Sequence, residues 1–228
     1  EPWDTSRVVL VRPLQEAARN HGQVQLMEDA AAGNRLMAVK KMPTRWVRSC
    51  PKEFDEQYPN ATEKPWHDLG FLHHLCVAHF PYACDLYGVF RGEEETFVAT
   101  SYCAQGDLAW WCDSAEVPAP GPQREEHMMP IVAQIFSAIR WLHDLGIAHR
   151  DVSLENILIA GSGPEARVKI IDFGMSTLRR TVRNEIRGKN SYQAPEMHGS
   201  VDVDTFLADG FSLGVTVFAM AVQDYPWT

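Results

Sequence analysis

The run His149-Arg150-Asp151-Val152-Ser153-Leu154-Glu155-Asn156 gathers carboxylate and carboxamide oxygens in one short stretch, and Asp172-Phe173-Gly174 adds a further carboxylate downstream. Oxygen donors of this kind can hold a hard cation or take up a proton. Upstream, Ala38-Val39-Lys40 carries an ammonium in an apolar run, a group able to neutralise anionic oxygen. Taken singly, Asp151 is also a good loop cap and Asn156 a good turn former. Their order, with Ala194-Pro195-Glu196 following and Asp209 ahead of an apolar helix, argues for chemistry.

The elements that must position these groups fall into two halves. Arg7 to Leu14, Gln23 to Glu28 and Leu36 to Met42 are β-branched or apolar runs separated by Gly and Asn, which predicts three antiparallel strands. Thr62 to Leu75 sets Trp66, Leu69, Leu72 and Leu75 at helical spacing with Thr62 as cap, and predicts one helix. Cys84 to Arg91 and Thr96 to Tyr102 flank the charged turn Gly92-Glu93-Glu94-Glu95, which predicts a hairpin and a five-stranded sheet. After Gly106, a Pro-rich loop (Val117 to Pro122) leads into an amphipathic run from Arg124 to Leu145, so the second half is mainly helical. No internal period of solenoid length recurs.

The catalytic-loop, Asp172-Phe173-Gly174 and Ala194-Pro195-Glu196 motifs, in that order and with Lys40 upstream, resemble the eukaryotic protein kinase superfamily over about residues 8 to 228. The resemblance implies an α+β fold of two lobes. The N-lobe, an antiparallel sheet plus one helix, would run from about residue 7 to 102. A hinge would lie at about 101–105, and a mainly helical C-lobe from about 106 to the end, with ATP bound between. It implies transfer of the γ-phosphoryl of Mg-ATP to a protein hydroxyl, with a lean to Ser/Thr from Tyr192-Gln193-Ala194-Pro195-Glu196. In that reading Asp151 orients the substrate hydroxyl and accepts its proton, and Asp172 and Asn156 hold Mg²⁺. Lys40 reaches the α- and β-phosphates, oriented by a helix carboxylate. Counting a turn back from Leu72 favours Asp68, and Glu63 is the alternative. Thr100 occupies the gatekeeper position and Ser101 to Cys103 the hinge. Asp107 meets the ribose, and Val24, Ala38 and Leu158 enclose adenine.

Two departures from the family pattern carry consequences. The glycine-rich loop is replaced by Ala17-Ala18-Arg19-Asn20-His21-Gly22-Gln23-Val24, in which Gly22 alone keeps its glycine, so the backbone cradle for phosphate is altered. Ser153 stands where Ser/Thr members carry Lys, and Lys189 stands where they usually carry the Thr that contacts that Lys. The two positions have traded residues, and Lys189 is expected to reach back past Ser153 to neutralise the transferring phosphate. The plain alternative is an exposed base in a basic loop. Thr181 is the candidate phosphosite of the segment from Asp172 to Glu196, its phosphate pairing with Arg150. The chain stops at Pro226-Trp227-Thr228, about where the first large helix of the C-lobe ends, so the last helices of the fold are expected to be missing.

Composition bounds the rest. With 45% apolar and 22% charged residues the chain is of ordinary globular type. A net charge of −9, from 30 acidic against 21 basic side chains, argues against nucleic acid or an anionic membrane as main partner and suits a basic protein substrate. Nothing bears on oligomeric state. The longest apolar stretch, Phe211 to Val222, is short for a bilayer span and reads as a buried helix. The first residue is Glu1, and the first thirty residues lack a signal-peptide pattern. Five cysteines without CxxC or Cys/His spacing suit reduced thiols in the cytoplasm. The rival readings are a pseudokinase scaffold that binds partners, favoured by the altered loop and Ser153, and a kinase-fold enzyme acting on a small-molecule hydroxyl.

Overall fold

The computed structural model describes residues 2–4, 6–17, 22–48 and 50–227, so the loop segment around Arg19 lies outside the described residues. The chain divides into two compact units, Glu1–Cys103 and Ala104–Thr228.

In the first unit, strands β1 (Val8–Ala17), β2 (Gly22–Asp29), β3 (Arg35–Pro43), β4 (Leu86–Arg91) and β5 (Glu95–Ser101) form one antiparallel sheet in the order β1-β2-β3-β5-β4. Period-2 alternation sorts its side chains. Met27, Met37, Val39, Phe97 and Ala99 form a buried cluster on one face, with Trp3, Val8 and Phe90 packed against it. The register Val24↔Lys40↔Val98 and Leu26↔Ala38↔Thr100 places Val24, Ala38, Lys40 and Thr100 together on the other. Lys41 is on the first face, paired with Glu95 at 2.9 Å.

Three helices follow β3, not one: α1 (Thr44–Arg48), α2 (Pro51–Gln57) and α3 (Pro65–Val77). The expected start at Thr62 is corrected as well. Lys64 is the N-cap, without a side-chain capping bond, and Pro65 opens α3 because its fixed φ and missing N–H suit the first helical position. The two short helices bring Trp46, Phe54, Tyr58 and Trp66 into edge-on contacts, with Trp46–Phe54 at 4.7 Å and Phe54–Trp66 at 4.8 Å between ring centres.

The second unit is mainly helical. Short α4 (Leu108–Asp113) is capped by the Asp107 carboxylate on the Trp110 N–H at 2.8 Å. The long helix α5 (Pro122–Asp144) buries Met128, Val132, Ile135, Ile139 and Leu142, a stripe of helical period. Two ribbons, β6 (Ile157–Ala160) with β7 (Arg167–Ile170) and β8 (Thr181–Arg183) with β9 (Asp202–Asp204), frame the loops between α5 and α6 (Thr205–Val222). The helix α6 extends the apolar stretch read from sequence by more than a turn. Among the described residues it is long and apolar enough to cross a membrane by length and composition, yet half of it is buried inside the unit. It also carries the buried Asp209, whose carboxylate serves the loop described next.

Candidate active site

In the second unit, the loop from His149 to Asn156 is held from below by Asp209. Its Oδ2 accepts the His149 N–H at 2.8 Å and its Oδ1 the Arg150 N–H at 2.7 Å, while His143 Nε2 lies 2.9 Å from Oδ2. His149 ties the loop to the strand that ends before Asp172. Its Nδ1 accepts the Asp151 N–H at 3.3 Å, which leaves the proton on Nε2, and that atom meets the Ile171 carbonyl at 3.0 Å. The Ile171 N–H in turn donates to the Asn156 carbonyl at 3.0 Å. Asp151, Asn156 and Asp172 are therefore parts of one bonded unit. Arg150 and Asp172 both sit at positive φ, 67° and 64°, a conformation that costs a non-glycine residue about 1 kcal/mol or more. Asp172 offsets part of this with its own Oδ1, which accepts the Gly174 N–H at 3.3 Å.

The Asp151 side chain is buried and fixed at both oxygens. Oδ2 accepts from Asn156 Nδ2 at 3.0 Å, and Oδ1 accepts the Lys189 backbone N–H at 3.2 Å. Lys189 is delivered here by Gly188, whose φ of +84° is open to glycine and whose added Cβ would fall 2.9 Å from the Arg150 carbonyl. Gln193 braces the turn through Nε2 to the Gly188 carbonyl at 2.9 Å. The Lys189 ammonium then returns to the loop, donating to Ser153 Oγ at 3.0 Å and standing 2.8 Å from Glu155 Oε2 as a charge contact more than an aligned hydrogen bond. Partial burial works to raise the Glu155 carboxyl, but the Lys189 contact prevails and holds it below its ordinary range.

In the first unit, Lys40 on β3 donates to Asp68 Oδ2 at 2.7 Å, and both side chains are mostly covered. Of the two carboxylates left open by the sequence, Asp68 in the first turn of α3 is the one in this contact, whereas Glu63 is buried ahead of the helix. Thr100 Oγ1 donates to the Ala38 carbonyl at 3.3 Å. The Ser101 N–H goes to the Asp85 carbonyl at 2.9 Å, and Cys103 is buried with its Sγ 4.0 Å from that of Cys84.

Residues 20–228 match the model of the protein kinase domain. The chain belongs to the protein kinase family. It is 30% identical to the serine/threonine-protein kinase SRK2B of Arabidopsis thaliana over 209 residues, covering 89% of this chain and 54% of the relative. It is 29% identical to SRK2A of Physcomitrium patens over 214 residues, covering 91% and 58%, and 35% identical to SAPK3 of Oryza sativa subsp. japonica over 132 residues, covering 57% and 38%. The kinase domain thus spans little more than half the length of these relatives, or less.

The other residues singled out from the sequence are placed as follows. Gly22 opens β2 opposite Ala17, and Val24, Ala38, Lys40 and Thr100 share one face of the sheet. Asp107 and Leu158 are bridged to each other in the second unit, and Asp107, expected to meet a ribose, is at the same time the cap of α4. Arg150, expected to receive a phosphate on Thr181, instead has a carboxylate: its Nη2 donates to Glu185 Oε2 at 3.0 Å, and Arg179 reaches Glu185 Oε1 at 2.6 Å. Thr181 lies exposed at the start of β8, in register with Asp204. Glu155, Gly188 and Glu185 were missed by sequence reasoning. Glu185 had a signal, since it is the single acid between Arg179 and Arg187.

The donor set suits a magnesium nucleotide. Asp172 and Asn156 offer oxygen alone, and Asn156 turns its NH₂ to Asp151, which leaves the amide oxygen side for a cation. Among the described residues no group of three or more His, Cys, Asp or Glu could hold a metal ion. A sparse oxygen set fits Mg²⁺, which takes one or two protein ligands and fills its shell with phosphate and water.

Proposed function

We propose that this kinase domain transfers the γ-phosphoryl group of Mg-ATP to a hydroxyl of a protein substrate, serine or threonine by preference. The observation that carries the reading is Asp151, a buried carboxylate whose two oxygens are both aimed by neutral donors, Asn156 Nδ2 and the Lys189 N–H. A carboxylate so held can orient a hydroxyl and take its proton as the oxygen attacks phosphorus. Bound Mg-ATP supplies the phosphoryl group, with ADP as the leaving group, and the cation charge. Asp172 and the Asn156 oxygen would hold the metal. Lys40, steadied by Asp68, meets the α- and β-phosphates, and Lys189 neutralises charge on the group in transfer. Val24, Ala38, Leu158, Thr100 and the hinge residues Ser101 and Cys103 receive adenine, Asp107 the ribose, and Gly22 the phosphates. The division of the chain after Cys103 accords with a hinge near residues 101–105 and lobes on either side of it. The kinases named above accord with the Ser/Thr preference.

The test is transfer of labelled γ-phosphate from Mg-ATP to mixed protein substrates and to the domain itself, beside Asp151→Asn. Transfer lost in that variant supports the reading. A folded protein that transfers nothing favours the second reading, a pseudokinase scaffold, for which Ala17 and Arg19 in place of loop glycines are the specific observation. Lys189→Met should collapse turnover with little change in ATP binding, and unchanged turnover would remove Lys189 from the mechanism.

A further inference from the structure

Lys189 approaches the loop from a different segment, and its side chain is tied at the far end by two residues of the loop itself. Ser153 Oγ and Glu155 Oε2 lie 3.0 and 2.8 Å from Nζ, while the Lys189 backbone N–H rests on Asp151 Oδ1 at 3.2 Å. The chain of Lys189 therefore arches from Asp151 to Glu155. Glu155 sits in the 3₁₀ turn Leu154–Asn156, the same turn that carries Asn156. That turn is pinned by the Asn156 N–H to the Ser153 carbonyl at 3.2 Å and by the Leu154 N–H to the Tyr192 hydroxyl at 3.3 Å. Ser153 is fully buried. A hydroxyl alone cannot balance an ammonium. An unbalanced ammonium this close to Asp151 would be drawn to the Asp151 carboxylate, where it would occupy the lone pairs that a substrate hydroxyl must use.

We infer that Glu155 is a positioning residue: its carboxylate holds the Lys189 ammonium against Ser153 and away from Asp151, so that the cation faces the transferring phosphate while Asp151 stays open to the substrate. This rests on the proposed function and deepens it. Lysine brings long, freely rotating reach, and a fixed counter-charge is what converts that reach into a defined position.

The experiment has two independent readouts on Glu155→Gln, which keeps the shape and removes the charge. In steady-state phosphotransfer, kcat should fall about tenfold or more, as misplacement of a charge by about an ångström allows, with the KM for ATP nearly unchanged. Lys189→Met and the Lys189→Met/Glu155→Gln double variant should then be equally slow, because Glu155 acts through Lys189. Glu155→Asp should recover part of the loss. In the second readout, acetylation of Lys189 followed by mass spectrometry should be about threefold or more faster in Glu155→Gln than in the unaltered chain, since an ammonium released from its contact with Glu155 is more open to the reagent. Full turnover in Glu155→Gln beside a slow Lys189→Met, or losses that multiply in the double variant, would overturn the inference. So would unchanged acetylation, and that readout stands even if the domain transfers no phosphate.

Discussion

Removing the Glu185 carboxylate should release the segment that delivers Lys189. Arg150 is buried, its side chain 5% exposed, and Glu185 is its charge partner at 3.0 Å. Deleting one partner of a buried pair costs about 3–5 kcal/mol, because the remaining charge stays out of water without compensation. The second contact, Arg179 at 2.6 Å, involves a guanidinium that is 63% exposed and adds at most about 0.5 kcal/mol. Arg150 can recover part of the cost by moving toward water, so about 2–4 kcal/mol is the expected loss of local stability in Glu185→Ala, or about 30- to 1,000-fold in the opening equilibrium. Hydrogen exchange of the Val182 and Lys189 amides reads this directly, with the α5 amides as internal reference. Faster exchange from residue 182 to 189, with α5 unchanged, is the expected result. Equal exchange in Glu185→Ala and the unaltered chain would refute the reasoning, and would mean that β8 and its partner strand alone hold the segment.

Arg124 is fully buried and donates to three carbonyls, those of Met220, Pro118 and Cys112, so Arg124→Met should cost about 2–4 kcal/mol in urea unfolding; a loss below about 1 kcal/mol would show that the relieved burial of charge outweighs the orphaned carbonyls. Gly188→Ala should destabilise by about 1–2 kcal/mol and slow phosphotransfer more than it weakens ATP binding, because φ of +84° disfavours Ala and the new Cβ pushes Lys189 off Asp151; equal kcat would count against the docking of this turn. The Arg7 contact lowers Asp29, and Glu185 and Asp204 are lowered because their arginine contacts outweigh burial. Groups with depressed folded values contribute stability that is full above their unfolded values, 3.8 for Asp and 4.5 for Glu, and is lost as pH falls through the folded ones. The urea midpoint should therefore be level from about pH 7 to about pH 5 and fall below that, and a midpoint rising on acidification would contradict it.

The five-stranded sheet was legible because its strands are apolar or β-branched runs set between turn residues, and the alternation of side chains along a strand separates Lys40 from Lys41. Asp68 was legible from one helical turn, since α3 runs unbroken to Leu72. The helices α1 and α2 were not. Each is at most two turns long, they are split around Pro51, and their stability comes from rings that meet across Trp46, Phe54, Tyr58 and Trp66 and not from a periodic stripe. Thr62 looked like a cap, but local preference for a hydroxyl yields to a proline that already satisfies the first helical position. The contact of Lys189 with Ser153 was legible as an exchange of residue types between two positions. Glu155 and Glu185 were not, because a carboxylate in a charged run gains its meaning from a partner that only the fold brings near: Arg150 and Glu185 are 35 residues apart.

The exchange of Ser153 and Lys189 changes what the cation depends on. A lysine at 153 would be carried by a loop already fixed through Asp209, His149 and Asn156, and its place would not require the downstream segment. Lys189 reaches the same loop only if Gly188 passes against the Arg150 carbonyl, and the segment leading to Gly188 is moored through Glu185 on Arg150. Docking of the segment and placement of the cation thus share one free energy. Glu185→Ala should lower kcat in proportion to the open population at saturating ATP, and Lys189→Met should reduce that sensitivity to the part carried by the Lys189 backbone N–H on Asp151, because the segment then has no charge to deliver. An equal fractional loss from Glu185→Ala in both backgrounds would place the effect of the segment in the backbone N–H that it rests on Asp151, and not in the ammonium.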